Sequence, residues 1–571
     1  MSDLSLLMVH ADDHQPVLDR VADGALARAG EGGKAPGYLW DEGGEPNDLH
    51  AQRWGILAPE GRRGDRLLEI VAPLVAHRRE QQGGEPVRVY RVPEKMSAGE
   101  AAQWKKTVFR PQRELDVEVP RYQLILGDLH EVPLSLQQVQ GSDGYVGRLA
   151  FDSDDDYAAY VAKVLRWERS PAPEVQGRAL FHTVHDGSSA TEIGYHALVR
   201  PGVSMLRERM DRGQVNADQV VESGDADPDP QGLLNAARID RPAFLFSLSH
   251  GEGPPRRGWR SADDQRLGQG AMSFGRGGRI RGEDLRDAVF LPGGVWFMLA
   301  CFGAGSPSES AYQHWLEELG ALGHQQARPQ AALAGIPKER PFVAAVPRAV
   351  LASPNGPLGF IGHVDLAWTY SFRELDQRAA SRPAKFMGVL RSALKRDRLG
   401  IGLRELSRYL GQANQELTDL ADEERARGIV ADAARRAQKA HLWMLRQDLA
   451  AYVLLGDPAA RLPLAEPGGA TGRRPGDARG AELHSRTPSI AAMNPRRTSS
   501  PSEARSPSAA TPEPAPLPLA IDPLERAIGR VLAGESLRQV ALEHGVESDA
   551  LRSAAKRYRA GGRRALGVPE G

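Results

Sequence analysis

Apolar residues in this chain gather into short unbroken runs separated by turn-forming and amphipathic stretches. Tyr122–Leu126 closes on Gly127-Asp128, and similar runs lie at Gly147–Phe151, Arg178–Val184, Ala243–Ser249, Val295–Ala300, Phe342–Val346 and Gly359–Val364. Runs of this length bounded by turn residues predict strands buried on both faces. The segments between them suit helices. In the clearest of these, Tyr157–Glu168, residues Tyr157, Tyr160, Val161, Val164 and Leu165 share one face. The preceding Asp152-Ser-Asp-Asp-Asp156 supplies a capping serine and first-turn acids, which suits a helix start and not a metal site. Strands alternating with helices predict an α/β fold with a doubly wound, mostly parallel sheet and flanking helices.

Patterning weakens at both ends. Residues 1–118 hold Gly/Glu/Pro turn clusters and few clear strands, whereas 373–455 read as mostly helical and end in Tyr452-Val-Leu-Leu-Gly-Asp-Pro458. From 465 to 520 the chain is rich in Pro, Ser, Thr, Ala and Arg without apolar periodicity, which predicts a disordered linker. Residues 521–571 read as three short helices, a small all-α module. The expected organisation is an N-terminal α/β subdomain (1–175), a catalytic domain with a helical C-terminal part (176–464), the linker (465–520) and the module (521–571).

Composition narrows the setting. The chain has 571 residues, 41% of them hydrophobic, a net charge of −1 and a single cysteine. A balanced charge gives the whole molecule no electrostatic pull toward nucleic acid or membrane. One cysteine excludes an internal disulfide and suits a reducing compartment. The N-terminus lacks a basic, signal-like start, and no run reaches the roughly 18 apolar residues of a membrane span. These features predict a soluble, cytoplasmic protein without a membrane partner.

The lone cysteine, Cys301, ends the run Val295–Ala300, and the run Phe244–Ser249 ends in His250-Gly251. Two strands that deliver a thiol and an imidazole at their C-terminal ends place a nucleophile and a base at one sheet edge. The glycine after the histidine admits close backbone approach, so the N–H groups of Gly251 and Cys301 could form an oxyanion hole. Such chemistry needs no cofactor or metal. His182, His185, His314 and His363 are weaker candidates, since none directly precedes a glycine at the end of so apolar a run. The stretch Gly268-Gln-Gly-Ala-Met-Ser-Phe-Gly275 lacks the Gly-Lys-Ser/Thr ending of a phosphate loop and reads as an active-site flap.

The His-Gly and Ala-Cys-x-x-Gly strand ends resemble the caspase-like clan of cysteine peptidases, and the wider sequence is most similar to its gingipain-type branch. Four further segments agree in order: Gly144-Tyr-Val-Gly-Arg-Leu149 with Arg166-Trp-Glu-Arg169, then Asp186-Gly187, then Pro357–Trp368, and finally Leu455-Gly-Asp-Pro458. The resemblance covers about 120–460. It implies a caspase-like fold and a bacterial cysteine endopeptidase in which Cys301 attacks, His250 is the general acid/base and Asp186 orients it. It further implies that Glu192 pairs with a basic residue ahead of the scissile bond and that Trp368 walls the substrate pocket. Two departures stand out: the family is usually secreted, and its acidic orienter is typically glutamate.

The tail segment Ser536-Leu-Arg-Gln-Val-Ala-Leu-Glu-His-Gly-Val546 resembles a transposase-type helix-turn-helix. That likeness implies a DNA partner met by Arg552, Lys556, Arg557 and Arg559, with a protein partner as the alternative. The competing reading of the whole chain is a DNA- or protein-tethered regulator whose peptidase-like domain is a scaffold without activity.

Overall fold

The computed structural model of the protein describes residues 7–17, 45–111, 119–170, 175–224, 227–321, 329–337, 340–372, 383–428 and 432–465, together with 527–528, 537–544, 546, 550–551 and 554–555 of the tail. Residues 1–475 and 476–571 form two separate units.

The first unit is built on a ten-stranded sheet. In spatial order its strands are β3 (Arg88–Val92), β2 (Trp54–Pro59), β4 (Tyr122–Leu126), β5 (Tyr145–Leu149), β16 (Tyr452–Gly456), β15 (Gly359–His363), β12 (Val295–Leu299), β8 (Ala243–Leu248), β6 (Gly177–Thr183) and β7 (Ala217–Ser223). Every neighbouring pair is parallel except β15 with β16. The sheet is therefore two parallel blocks that meet back to back at one antiparallel seam. It runs through both stretches expected as subdomains, because the last strand in sequence completes the first block and forms its side of the seam.

The mostly parallel α/β architecture agrees with the sequence expectation, and alternation along the strands explains it. Phe244, Phe246, Leu248, Val295, Phe297 and Leu299 enter one apolar layer, while Ala243, Leu245, Trp296, Met298 and Ala300 enter another. That second layer continues over the other block through Ile56, Leu124 and Leu149. Consecutive apolar residues serve both faces, which is why the strands read as unbroken runs. The helix Asp154–Arg169 forms as predicted: the Ser153 side chain accepts from the Asp156 N–H at 3.2 Å, and Tyr157, Tyr160, Val161, Val164 and Leu165 are buried.

The N-terminal stretch holds more structure than its composition suggests. It contributes β2, β3 and the helix Gly61–Gln81, which carries Pro73 internally yet buries Leu67, Val71 and Leu74. A second, four-stranded sheet orders β1 (Met8–His10), β9 (His250–Gly253), β10 (Met272–Ser273) and β11 (Arg279–Ile280). The short strands β13 (Gly305–Ser306) and β14 (Phe342–Val343) pair as a ribbon.

The sequence motifs beyond the strand ends are largely structural. Arg148 is fully buried and donates to Gln137 Oε1 and to the carbonyls of Gly127, Asp128 and Val132. Glu168 and Asp457 both grip Arg78, Asp457 also accepts from Trp54 Nε1 at 3.0 Å, and the Asp457 N–H donates to Tyr160 Oη. This cluster ties β16 to the first block.

In the second unit, the helix Leu537–Glu543 falls within the segment Ser536–Val546, and Ala527, Ile528, Val540, Ala541, Leu551, Ala554 and Ala555 form a small apolar cluster. Arg552, Lys556, Arg557, Arg559 and nearly all of the predicted linker lie outside the described residues.

Candidate active site

Four adjacent parallel strands, β6, β8, β12 and β15, end on one edge of the sheet. In register, Leu248 pairs with Leu299, so His250 and Cys301 each follow two residues later on neighbouring strands. Beyond β6 the chain turns at Gly187 (φ +79°) and brings Asp186 and Ser188 to the same edge. Beyond β15 it delivers Ala367 and Trp368.

The backbone around Gly251 admits no side chain: a Cβ there would lie 1.9 Å from the Cys301 carbonyl oxygen. Close approach of the two strand ends turns their amides toward a common point. The Gly251 N–H at 3.0 Å and the Cys301 N–H at 3.1 Å converge on a single carbonyl oxygen. Two donors converging on one oxygen at this distance have the geometry of an oxyanion hole.

The imidazole is held from the β6 side. His250 Nε2 hydrogen-bonds Ser188 Oγ at 2.7 Å and lies 3.6 Å from Asp186 Oδ2. Asp186 is itself fixed by Thr191 Oγ1 at 2.8 Å and the Ser188 N–H at 3.1 Å. Burial disfavours its charge, but His250 and these hydrogen bonds outweigh that and keep the carboxyl below its usual range. Asp186 thus stands beside His250 despite being one methylene shorter than glutamate. Ser188 also caps the helix Ser189–Gly194, and the sequence reading did not single it out.

The Cys301 side chain is fully buried. Its Sγ accepts from the Ala367 N–H at 3.2 Å and lies 3.5 Å from the Ala367 carbonyl. Burial pushes the thiol pKa well up, more than the Ala367 amide can offset, so the resting group is protonated. Of the other expected contacts, Glu192 is solvent-exposed on the helix Ser189–Gly194. Trp368 is fully buried, packed edge-on to Tyr312 and Trp315 inside the apolar layer. The candidate bases also find places: His182 bonds Ser223 Oγ at 3.0 Å, and His363 bonds the carbonyls of Asp365 and Asp448. The predicted flap supplies β10, paired antiparallel with β9 so that Ser273 stands opposite His250.

Glu252, next to Gly251, is fully buried against Arg279 Nη1, with its oxygens at 2.9 and 3.1 Å. Burial pushes its carboxyl up to about 7 from 4.5, and Arg279 recovers only part of that cost. A raised folded-state value means that the folded chain holds this proton more tightly than the unfolded chain. The contribution is complete below pH 4.5 and is lost as pH rises through about 7. Glu252→Gln is expected to flatten that decline by ~3 kcal/mol, from about 1.4 kcal/mol per pKa unit. Urea midpoints at both ends of the window measure it.

No protein-family model matches the chain, and no curated protein matches it. Among solved structures, the Arg-specific cysteine proteinase gingipain R is similar over 73% of this chain and 80% of its own, at 12% identity and a TM-score of 0.40. A structure named as a protease is similar over the same shares, at 12% identity and a TM-score of 0.43. At 12% identity the site stands or falls on its own residues.

Proposed function

We propose that this chain is a cysteine-type endopeptidase. The observation that carries the reading is the convergence of the Gly251 and Cys301 amides on one carbonyl oxygen, beside a thiol and an imidazole presented by adjacent strand ends. In the proposed cycle, His250 takes the Cys301 proton and the thiolate attacks the substrate carbonyl carbon. The carbonyl oxygen becomes an oxyanion held by the two N–H groups. Collapse of the intermediate breaks the C–N bond, and His250 returns the proton to the leaving amine. Water, deprotonated by His250, then hydrolyses the thioester and restores the thiol. Ser188 and Asp186 hold Nε2 throughout, which assigns the proton exchange to Nδ1.

The scaffold alternative draws on the buried, protonated Cys301. A peptidyl chloromethyl ketone separates the two readings on a chain carrying Leu7→Asp, a substitution at the residue whose carbonyl oxygen the two amides hold, because a single-cysteine chain gives an unambiguous mass shift. A peptidase takes one adduct at Cys301, with a rate that saturates in reagent and is abolished by His250→Ala. A scaffold reacts slowly, without saturation and without regard to His250. For the tail, we propose a targeting role for 521–571, with Arg552, Lys556, Arg557 and Arg559 meeting DNA, or the module meeting a protein. Electrophoretic shifts of duplex DNA by the full chain, read across salt concentrations, test the DNA version.

A further inference from the structure

The oxygen held by Gly251 and Cys301 belongs to Leu7 of the same chain. The Leu7 N–H donates to the Ala367 carbonyl at 3.3 Å, so both polar backbone atoms of Leu7 are bound by site residues. From Met8 onward the segment continues as a strand: Met8, Val9 and His10 pair in parallel with Gly251, Glu252 and Gly253. The Met8 side chain lies over Gly253, where an added Cβ would meet Met8 Sδ at 2.5 Å and Cγ at 2.6 Å. His10 Nδ1 bonds the Pro254 carbonyl at 2.7 Å, and Arg279 Nη1 reaches from Glu252 to the Ala11 carbonyl at 2.8 Å. The segment thus has its own set of partners around the site. Leu7, Met8 and Val9 are fully buried.

We infer that Leu7–His10 occupies the substrate cleft as a substrate mimic, so that the chain occludes its own site and the residue accepted ahead of the scissile bond is aliphatic. The inference rests on the peptidase reading for its register: the carbonyl in the oxyanion hole is that of the residue ahead of the scissile bond. Leu7 takes that position and Met8 the one after it. The Leu7 side chain sits in the apolar layer shared by Cys301, Phe302, Leu366 and Trp368, a setting that suits a hydrocarbon and penalises an unpaired charge. This departs from the basic residue implied by Glu192, which lies exposed on its helix. The occupant also accounts for the state of the thiol, since a group closed off from solvent is disfavoured as a thiolate and inaccessible to reagents.

Alkylation of Cys301 by iodoacetamide, followed by intact mass, reads occlusion without requiring turnover. Two full-chain variants approach the contact from opposite sides. Leu7→Asp places a charge in the apolar site, and Gly253→Val drives Met8 off β9. Each is expected to accelerate alkylation by about tenfold or more, the scale on which losing several backbone hydrogen bonds shifts an open–closed equilibrium. An acetylated peptide of residues 7–17, added in excess, should slow the Leu7→Asp chain again. Equal rates in all three chains, or no effect of the peptide on either variant, would overturn the occlusion. Fluorogenic peptides with Leu, Met, Arg, Lys or Asp ahead of the scissile bond then test the pocket on the opened variants. Leu and Met should lead, and preference for Arg, Lys or Asp overturns the aliphatic assignment. Faster alkylation with no cleavage of any peptide upholds the occlusion and removes the peptidase reading beneath it.

Discussion

Cys301→Ala is expected to abolish peptide cleavage, by about a thousandfold or more, while leaving the fold intact. The assay belongs in both the full chain and the Leu7→Asp background, so that an occluded site is not mistaken for a dead one. His250→Ala should lose about 10²–10⁴-fold, the range of a general acid/base. Asp186→Ala should lose less than either, because Ser188 Oγ still holds Nε2 at 2.7 Å. Removing both partners in Asp186→Ala/Ser188→Ala should approach the His250→Ala value if the two act through that ring alone. Near-UV circular dichroism checks that each variant remains packed. Cys301→Ala with wild-type turnover would end the assignment of the nucleophile.

Arg78→Met is expected to cost about 3–5 kcal/mol of stability, the penalty for stripping the partner from buried charge. Arg78 and Asp457 are both fully buried and bonded at 2.7 Å, and Glu168 lies against the same guanidinium at 2.6 Å. Burial opposes the Glu168 charge, but Arg78 and His77 more than offset it and hold the carboxyl far below the usual range. Without Arg78, the Asp457 carboxylate keeps only the Trp54 indole and the Ala459 N–H as partners among the described residues. The measurement is a shift of the urea midpoint at constant slope. Arg66, which pairs with Asp154 and Glu69 on the exposed face of the same helix, provides the contrast. Arg66→Met should leave the midpoint where it is, because water solvates those carboxylates as readily as an arginine does.

The placement of the candidate residues was legible because the parts that set it are local. A run such as Phe244–Ser249 can be recognised by itself, and a histidine or cysteine at its end inherits a position from the strand. The helix Asp154–Arg169 was legible for the same reason, since cap, acids and apolar face lie within one segment. What escaped depends on distant partners. β1 has only three residues and pairs with residues 251–253, so its burial leaves no period in the sequence. The helix Gly61–Gln81 was hidden by Pro73, which ordinarily argues against a helix interior. The motifs at Arg148, Glu168 and Asp457 were visible as pieces of a resemblance, yet their use in buried polar clusters appears only when β16 is placed beside the first block.

That placement bears on how the protein is made. β16 lies at the middle of the ten-stranded sheet, although Tyr452–Gly456 is the last of those strands to be synthesised. On the ribosome, β5 and β15 each present a bare edge until it emerges, and the preceding helices cannot close the gap. Pairings of such long sequence separation form slowly and leave strand edges open to wrong partners. The nascent chain is therefore most vulnerable to aggregation while residues 363–452 are being added. A chaperone that binds exposed strand edges would be most useful during that interval.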